Sequence, residues 1–436
     1  MLALMPGRVK VFSFTFLLLI LFLEISAKDF FPTRGVSEAY SQTMRGLPFL
    51  QGALALIAIV VNILATYGLP NALLVGASRS LLVLFVANNS LSLLVITSSN
   101  LLAFYIFFEL SAIPIFFMII GWGYQPEKVK AGYAILIYTV LLAAPFILSV
   151  AIHKLNSEEW HISFSQAPSN TSPGASVLRI MSLTAFIVKL PLYSVHLWLP
   201  MAHVEAPVFG SIILAGVLLK FGGLGALVVQ ALFKSIWIET ILAVVAISGL
   251  LAVRLIMAQL TDLKIIIAYT RVAHIGFVPV RFFIRQATSI SSGTLIMLTH
   301  AFSSSGMFMA AYVVYKISNS RNLLINKGLM VASPYMAFLW LMTVLASIGT
   351  PPNINLVSEI LCISVCIKHF MFLAPLMGAS FVVSRAVHLV IYRSIAQGHQ
   401  SSDRLKRQPL NASDSVVVIS HILFCVSVFP VLDCIF

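Results

Sequence analysis

The sequence predicts an all-α polytopic membrane protein with about 13 to 14 transmembrane helices, arranged as two inverted five-helix repeats that contain discontinuous helices. Composition gives the first indication: hydrophobic residues make up 60% of the 436 residues, charged residues make up 9%, and mean hydropathy is +1.01. An ordinary soluble chain is about 25% charged. Long apolar runs recur along the sequence, and two of them are interrupted by prolines close to ionisable residues.

Apolar runs of about 17 to 25 residues define the candidate spans. There are thirteen, at 11–27, 51–68, 79–98, 100–122, 131–152, 178–199, 207–231, 237–258, 265–284, 292–315, 332–373, 375–393 and 415–435. The run 332–373 is too long for one straight helix and contains GTPPN, so it is either two spans or one broken span. The loops are short, and none is large enough to fold as a domain of its own.

The first run resembles a signal peptide, because Arg8 and Lys10 precede the apolar segment FSFTFLLLILFLEISA. We expect a retained first span instead. Glu24 interrupts the end of the apolar region, and a chain with many later spans can be inserted without a cleaved signal.

The net charge of +13 does not indicate nucleic-acid binding, because the 27 Lys and Arg residues are spread through loops and span ends. This distribution indicates membrane topology and contact with anionic lipids. The four cysteines lie within or beside apolar runs, so we interpret them as small buried apolar residues and not as a disulfide framework or a zinc site. They are Cys362, Cys366, Cys425 and Cys434.

Four ionisable residues lie deep within apolar runs, namely Glu109, Lys189, Lys220 and Glu359. Charges inside spans are costly and usually face the bundle interior, where they mark ion or proton paths. A functional role is therefore favoured over simple burial of ion pairs. Lysines near span ends, such as Lys264 and Lys316, are expected instead to extend toward the membrane surface.

Prolines stand close to two of these charges. Pro191 follows Lys189 by two residues, and the pair Pro351 and Pro352 ends seven residues before Glu359. Proline removes a helix hydrogen bond and clashes with the preceding turn, so we expect a helix break at each place. Broken helices near buried charges are typical of transporters built from inverted repeats.

The position of the breaks divides the chain. We expect N-terminal spans at 1–78, a first five-helix repeat at 79–231, a second at 237–393, and a loop with a C-terminal span at 394–436. The broken span is the fourth in both repeats. Proline is common in membrane helices, but its matched order in two halves favours a repeat.

Proton transfer is the chemistry that suits these residues. A desolvated lysine can accept or release a proton near neutral pH, and a nearby carboxylate holds it charged. His196, His203 and His300 could relay protons through water, although each alone fits an orienting hydrogen bond in a packed core equally well. A zinc site at His196, His203 and Glu205 is disfavoured, since no close ligand pair is present. FGGLG at 221–225 indicates close helix packing and not a phosphate-binding loop, so neither a metal nor a cofactor site is predicted.

Six sequence strings also occur in a recognisable order between about residues 100 and 362. They are FYIFFELSAIP, GWGYQPEK, VKLPLYSVHLWLPMAHVEAPVFGSIILAGVLLKFGGLG, DLKIIIAYTRVAHIG, THAFSSSGMF and PPNINLVSEIL. Together they resemble the antiporter-like membrane-arm subunits of respiratory complex I, the NADH-ubiquinone oxidoreductase. The HVEAP form is similar to mitochondrial members.

The resemblance implies roles for individual residues. The glutamate of the FFE motif, Glu109, would pair with the lysine of the VK-Pro motif, Lys189. Lys220 would be the central relay and Glu359 the exit-side carboxylate. The implied function is proton translocation, as one subunit of a proton-translocating NADH:ubiquinone reductase.

The resemblance further implies that flavin, iron-sulfur clusters and ubiquinone belong to partner subunits and that this chain holds no redox centre. Expected partners are the other membrane-arm and accessory subunits together with membrane lipids, and the implied location is the mitochondrial inner membrane. A cation/proton antiporter of the same fold is an alternative, since it would use Glu109 and Lys189 alike. A structural subunit that has lost transport is disfavoured, because burying four charges unpaired would stabilise nothing.

Some positions depart from the family pattern. The family usually has fourteen spans, and the thirteen runs counted here lead us to expect one span fewer before the first repeat. Gly121 and Met201 stand where arginine and lysine are usual, and Arg271 stands where a small polar residue is usual. Arg281 and Arg285 add charge at the end of the same span. A lineage-specific partner or lipid contact would explain these arginines.

Overall fold

In the computed structural model, the described part of the chain consists of helices joined by short loops and breaks. The described residues are 38–68, 78–157, 173–232, 236–283, 287–351, 353–398 and 412–427. Within them the β-structure is limited to one isolated antiparallel bridge between Asp262 and Asn322. The first predicted span, at 11–27, lies outside the described residues.

The first half of the described chain contains nine helices and one π turn. They are α1 (Glu38–Tyr67), α2 (Ser78–Thr97), α3 (Leu101–Leu110), α4 (Ala112–Trp122), α5 (Lys128–Ser157), α6 (Pro173–Lys189), α7 (Trp198–Glu205), α8 (Val208–Ile213), the π turn Leu214–Leu218 and α9 (Leu219–Leu232). α8, the π turn and α9 follow one another without a gap and form a single membrane-length rod.

The second half has a similar order. Its helices are α10 (Ile236–Met257), α11 (Leu263–Ile275), α12 (Phe277–Phe283), α13 (Ala287–Ser318), α14 (Leu329–Ala332), α15 (Pro334–Ile348), α16 (Ile354–His369) and α17 (Ala374–Ala396), followed by α18 (Ala412–Ser427). A short 3-10 turn, Met371–Leu373, precedes α17.

Eight helices of the described chain are long and apolar enough to cross a membrane. They correspond to eight of the thirteen predicted spans. The other predicted spans in this part fall below that standard for two physical reasons. α6, α15 and α16 have 15 to 17 residues each, because a helix break or a chain turn ends them early. α18 has 16 described residues. α13 is long enough, with 32 residues, but it carries serine, threonine and histidine along its length.

The two halves share their order of interruptions. In the second span of each half, one residue separates two helices, Ser111 between α3 and α4 and Gly276 between α11 and α12. In the fourth span of each half, a longer break separates α6 from α7 and α15 from α16. The fourth-span breaks lie where prolines predicted them.

The rod of α8, the π turn and α9 occupies the centre of the bundle, and its membrane-spanning part, Val208–Val229, is entirely buried. α13 packs against this rod and also against α15, α16 and α18. α1 packs on the other side, where a Cβ on Gly216 would lie 2.7 Å from Cγ1 of Val61. The core is therefore built around two helices, one from each half.

Candidate functional site

Glu109 and Lys189 lie together between α3 and α6. Lys189 Nζ is 3.7 Å from Oε1 of Glu109, and both side chains are largely buried. The same ammonium group donates a hydrogen bond of 2.8 Å to the carbonyl of Phe108 and lies 3.4 Å from the centroid of the Phe108 ring. The structure thus brings together the carboxylate and the lysine that the resemblance pairs.

Local sequence places Glu109 at this point. The side chain of Asn100 caps α3 by accepting a hydrogen bond of 3.0 Å from the N–H of Leu102, which fixes where the helix starts. Ser111 interrupts the span after Leu110, and its hydroxyl donates to the Phe108 carbonyl at 2.7 Å. One carbonyl therefore accepts from both the serine and the lysine.

The first helix break follows Lys189 directly. α6 ends at that residue, and Pro191 has no N–H to continue the helix. The indole of Trp198, the first residue of α7, donates a hydrogen bond of 3.1 Å to the carbonyl of Val188. A side-chain donor thus replaces a backbone donor within the break, which is necessary where water is excluded.

Lys220 is the second residue of α9, two residues after the end of the π turn. Its side chain is 2% exposed, and Nζ donates a hydrogen bond of 2.6 Å to the carbonyl of Ala215 inside that turn. A π turn inserts an extra residue in the helix, and such turns are frequent at functional sites. The lysine therefore points into the protein interior and not toward lipid.

Glycines hold the first break against α9. A Cβ on Gly222 would lie 3.1 Å from the backbone of Lys189 and Leu190, and a Cβ on Gly225 would lie 2.0 Å from the ring of Phe186. Only a residue without a side chain allows this approach. The FGGLG string therefore serves close helix packing, as the sequence indicated.

A small cavity connects the break with the second half of the chain. Its volume is about 10 Å³, on the order of one water molecule. The polar side chains that line it come from Lys220 on the rod, His274 on α11 and His300 on α13. Leu190, the neighbour of Lys189, completes the wall on the side of the break.

Two histidines continue the row of polar groups toward Glu359. The rings of His300 and His274 lie 5.5 Å apart, and Nδ1 of His274 is 3.6 Å from Oε1 of Glu359. His388 of α17 lies 6.0 Å from the His274 ring and holds its own Nδ1 against the carbonyl of Ser384 at 2.7 Å. The row thus extends from the cavity to the second broken span.

The second break resembles the first in how it satisfies its backbone. α15 ends at Ile348, and the next residue, Gly349, has a φ of 74° that favours glycine. Pro351 follows two residues later. The side chain of Asn355 in α16 donates a hydrogen bond of 3.3 Å to the carbonyl of Ser347. Pro352 lies outside the described residues.

Glu359 lies in α16 and is 2% exposed. Oε2 of Glu359 is 3.7 Å from Nη2 of Arg385 on α17. Arg254 and Arg281, both fully buried, also interact electrostatically with this carboxylate. Arg281 donates hydrogen bonds to the carbonyls of Ser292 and Ser358, so it is an interior residue and not a contact for lipid.

Sequence reasoning missed part of this cluster. Arg254, Arg385 and His388 were given no role, although an arginine at the centre of an apolar run, as Arg385 is, is a signal that could have been used. His274 lies 85 residues before Glu359 in the sequence, and no sequence motif joins the two. Only the packing of α11 against its neighbours reveals that proximity.

His203 and His196 lie outside the row. His203 is fully buried and stacks on Phe308 with a centroid distance of 4.7 Å, and Arg271 lies 4.0 Å from the centroid of the same ring. His196 lies within the first break, stacked on Tyr193 at 5.4 Å. Arg271 is also fully buried, so a lipid contact does not explain it; Arg285 lies outside the described residues.

The expectation for Lys264, one of the two span-end lysines, was wrong. Lys264 does not extend to the surface, since it is only 9% exposed. Its ammonium group donates hydrogen bonds to the carbonyl of Val204, in the last turn of α7, at 3.2 Å and to that of Ala206, just after the helix, at 3.0 Å. Helix-terminal carbonyls attract a cation there. Lys316 is instead paired with Asp414 of α18 at 2.6 Å.

The arrangement described so far defines a class of protein, a polytopic helical membrane protein with two broken helices and a row of buried ionisable groups between them. A sequence profile of the family described as NADH:quinone oxidoreductase/Mrp antiporter, transmembrane, matches residues 98–384. The chain belongs to this family.

Several relatives share one name, NADH-ubiquinone oxidoreductase chain 4. The Ceratitis capitata protein is 40% identical over 269 residues, which are 61% of this chain and 60% of that protein. The Artemia franciscana protein is 36% identical over 70% of this chain and 77% of its own length. The Albinaria caerulea protein is 31% identical over 85% and 84%. The chain thus spans about 60% of the length of the Ceratitis capitata relative.

Solved structures show the same fold. A chain of respiratory complex I from Thermus thermophilus with bound NADH matches with a TM-score of 0.78 and 21% identity, covering 88% of this chain and 81% of that one. A chain of the membrane-bound sulfane sulfur reductase, an archaeal respiratory membrane complex, matches with a TM-score of 0.75 and 18% identity, covering 86% and 64%. The chain therefore shares its fold with a chain of each of these two respiratory membrane complexes.

Proposed function

We propose that this chain is a proton-translocating subunit of the membrane arm of respiratory complex I, located in the mitochondrial inner membrane. The observation that carries the proposal is the row of ionisable groups between the two breaks: Glu109 with Lys189, then Lys220 and His300, then His274 with Glu359. Family membership and the chain 4 relatives support the assembly.

The geometry supports a switch at the first pair. A carboxylate at 3.7 Å stabilises the ammonium form of Lys189, so moving Glu109 away would favour release of a proton. The released proton would pass by way of a water in the cavity to the amine of Lys220, which must be neutral to accept it. A conformational signal is thereby converted into a proton step.

The second half would carry the proton outward. Lys220 would give a proton to His300, and His274 would pass one to the carboxylate of Glu359. The imidazole ring suits both steps, since each ring can accept a proton at one nitrogen while it releases one from the other. Return of each group to its starting form completes the cycle.

In this proposal electron transfer takes place in partner subunits. Flavin, iron-sulfur clusters and ubiquinone would be held there, and this chain would contribute no redox centre. Its partners would be the other membrane-arm and accessory subunits, together with membrane lipids. Such an assembly is consistent with the name that the relatives carry.

The test is purification of the chain from its native membranes, followed by reconstitution into sealed vesicles. We expect the chain to co-purify with NADH-oxidising activity, and NADH oxidation with a quinone to acidify the vesicle lumen. Recovery outside an NADH-oxidising assembly, with exchange of Na⁺ for protons, would contradict the proposal. That outcome would instead favour the cation/proton antiporter to which the family description also refers.

A further inference from the structure

Arg385 occupies an unusual position for a charged residue. It lies on α17 near the middle of the span Met371–Ala396, and its side chain is 47% exposed. Eleven residues separate it from the nearer end of the span, which corresponds to about 16 Å along a helix. An arginine side chain cannot reach the membrane surface from that depth.

Lipid is therefore an unsuitable neighbour for this side chain. Acyl chains offer a guanidinium no hydrogen-bond acceptor, and ionisable residues at mid-membrane depth almost always face protein or a water-filled path. Glu359 satisfies only part of Arg385, because the two groups are 3.7 Å apart, beyond hydrogen-bond distance. Among the residues that the structure describes, no acceptor faces the exposed part of the guanidinium.

The surrounding charges are also unbalanced. Arg254 and Arg385 both interact with the carboxylate of Glu359, so within the described residues these two guanidinium groups face one carboxylate. Arg254 is fully buried, and its Cζ lies 5.1 and 5.3 Å from the ring centroids of Phe277 and Phe381. Within the described chain, none of its guanidinium nitrogens has a hydrogen-bond partner. A further negative charge at this place would be strongly favoured.

The face of α17 that carries Arg385 suits another helix. Val382 and Leu389, one turn before and after it, are 68% and 52% exposed. Gly378, a further turn away, would have nothing within 4 Å of an added Cβ. Small residues on an exposed helix face allow two helices to approach closely within a membrane.

We propose that this face of α17 binds a membrane-spanning helix of another subunit, and that this helix presents an Asp or Glu carboxylate to Arg385 at mid-membrane depth. Arg385 would then lie between the partner carboxylate and Glu359. The contact would link the exit end of the row to the neighbouring subunit. The inference rests on the proposed function only for the identity of the assembly.

Other occupants fit less well. Lipid phosphates lie at the membrane surface, roughly 15 Å from the midplane. A second copy of this chain would bring a second Arg385 to the same place. The predicted first span of this chain carries Glu24 near its end, not at its centre.

Photocrosslinking in native membranes tests the contact. A photoreactive amino acid replaces Val382, and the matched control replaces Leu141, which is similarly exposed, at 65%, on α5. We expect position 382 to crosslink to another protein, whose linked peptide lies in an apolar span that contains Asp or Glu. Crosslinks only to lipid, to a second copy of this chain or to its own N-terminal segment would overturn the proposal.

The role of charge is tested by Arg385→Met in the same background. We expect the crosslink yield at position 382 to fall about tenfold, corresponding to loss of a buried charge pair, and Arg385→Lys to retain much of it. Arg393→Met is the control, because Arg393 lies on the same helix near its end, where water can solvate it. An unchanged yield in Arg385→Met would refute the contact.

The two proposals fail separately. NADH oxidation and vesicle acidification are measured on the same membranes. A crosslink to a carboxylate-bearing span without NADH-oxidising activity would contradict the proposed function and leave the interface intact. Full activity with no protein crosslink would contradict only the interface.

Discussion

Lys189 is held more firmly than its acidic partner. The Phe108 carbonyl and the Phe108 ring both fix the ammonium group, at 2.8 and 3.4 Å. Glu109, by contrast, makes no hydrogen bond within the described chain with either carboxylate oxygen. Its contact with the lysine is an ion pair at 3.7 Å. We therefore expect Glu109 to be the member that moves when the pair opens.

The first prediction concerns this pair. Glu109→Gln should leave assembly intact, since shape is kept, but proton-coupled NADH oxidation should fall about tenfold or more, because a positioned proton-transfer group is lost. The measurement is the rate of NADH oxidation in coupled vesicles. Glu127→Gln, at an exposed loop position, is the control and should retain the parent rate. Parent-like pumping by the Glu109 variant would exclude it as the switch.

The second prediction concerns Lys220. Lys220→Arg should abolish most proton transfer, because the guanidinium group stays protonated at neutral pH and also cannot fit the short hydrogen bond to Ala215. Lumen acidification per NADH oxidised is the quantity to measure. Lys130→Arg, at an exposed position of α5, should pump normally. A Lys220 variant that pumps at the parent ratio would show that this amine does not carry a proton.

Individual charges were the easiest part of the site to predict. Glu109, Lys189, Lys220 and Glu359 stand out because each interrupts an apolar run. Lys264 was wrongly assigned, because a one-dimensional pattern does not show that the carbonyls ending α7 lie beside it. Proximity across helices, as between His274 and Glu359, leaves no trace in a single sequence.

At the scale of elements, the two breaks share one solution to the same problem. Each leaves a carbonyl of the first helix without its usual backbone donor, and each supplies a side chain from the second helix. Trp198 serves Val188 at 3.1 Å, and Asn355 serves the carbonyl of Ser347 at 3.3 Å. These side chains keep the break closed to lipid while still allowing the helix halves to move separately.

The third prediction tests the first of these bonds. Trp198→Phe keeps an aromatic ring but removes the indole donor, so the buried carbonyl of Val188 loses its partner. Stability should fall by about 1 to 3 kcal/mol. The measurement is the unfolding midpoint of the purified assembly in detergent. The control is Trp122→Phe, at the partly exposed end of α4. A midpoint that stays unchanged in Trp198→Phe would contradict a role in closing the break.

The fourth prediction concerns helix packing at the same place. Gly225→Ala puts a methyl group 2.0 Å from the Phe186 ring, so the ring or α9 must shift. We expect a loss of about 1 to 3 kcal/mol from overpacking, together with weaker proton transfer, because Phe186 also packs on Phe108 beside Lys189. Gly121→Ala is the control, since nothing lies within 4 Å of its added Cβ. Equal thermal stability of the two variants would refute the packing argument.

The prolines made the two helix breaks predictable from the sequence, whereas no residue pattern predicted the π turn. A proline interrupts a helix through its own missing N–H and its ring, whatever the surrounding structure. The effect of Pro191 and Pro351 can therefore be predicted from the local sequence. The residues of the π turn, LAGVL, are ordinary helix formers in a membrane. The extra residue is accommodated by packing, for example of Gly216 on Val61, which the local sequence does not reveal.

At the scale of the whole molecule, the repeated order of interruptions supports the fifth prediction. Residues 79–231 and 237–393 should superimpose after rotation about an axis in the membrane plane, with Pro191 and Pro351 at equivalent breaks. The measurement is the superposition of the two halves in an experimental structure of the assembly. Failure of either the span order or the two breaks to coincide would refute the repeat.

α13 gives the whole molecule a property that neither half has alone. His300 on this helix lines the cavity beside Lys220, and the adjacent Thr299 donates a hydrogen bond of 3.4 Å to the side chain of Asn355 at the second break. A rotation of this single helix therefore alters both places at once. The two halves then share a coupling free energy, and a change of state at one end of the row shifts the population of states at the other.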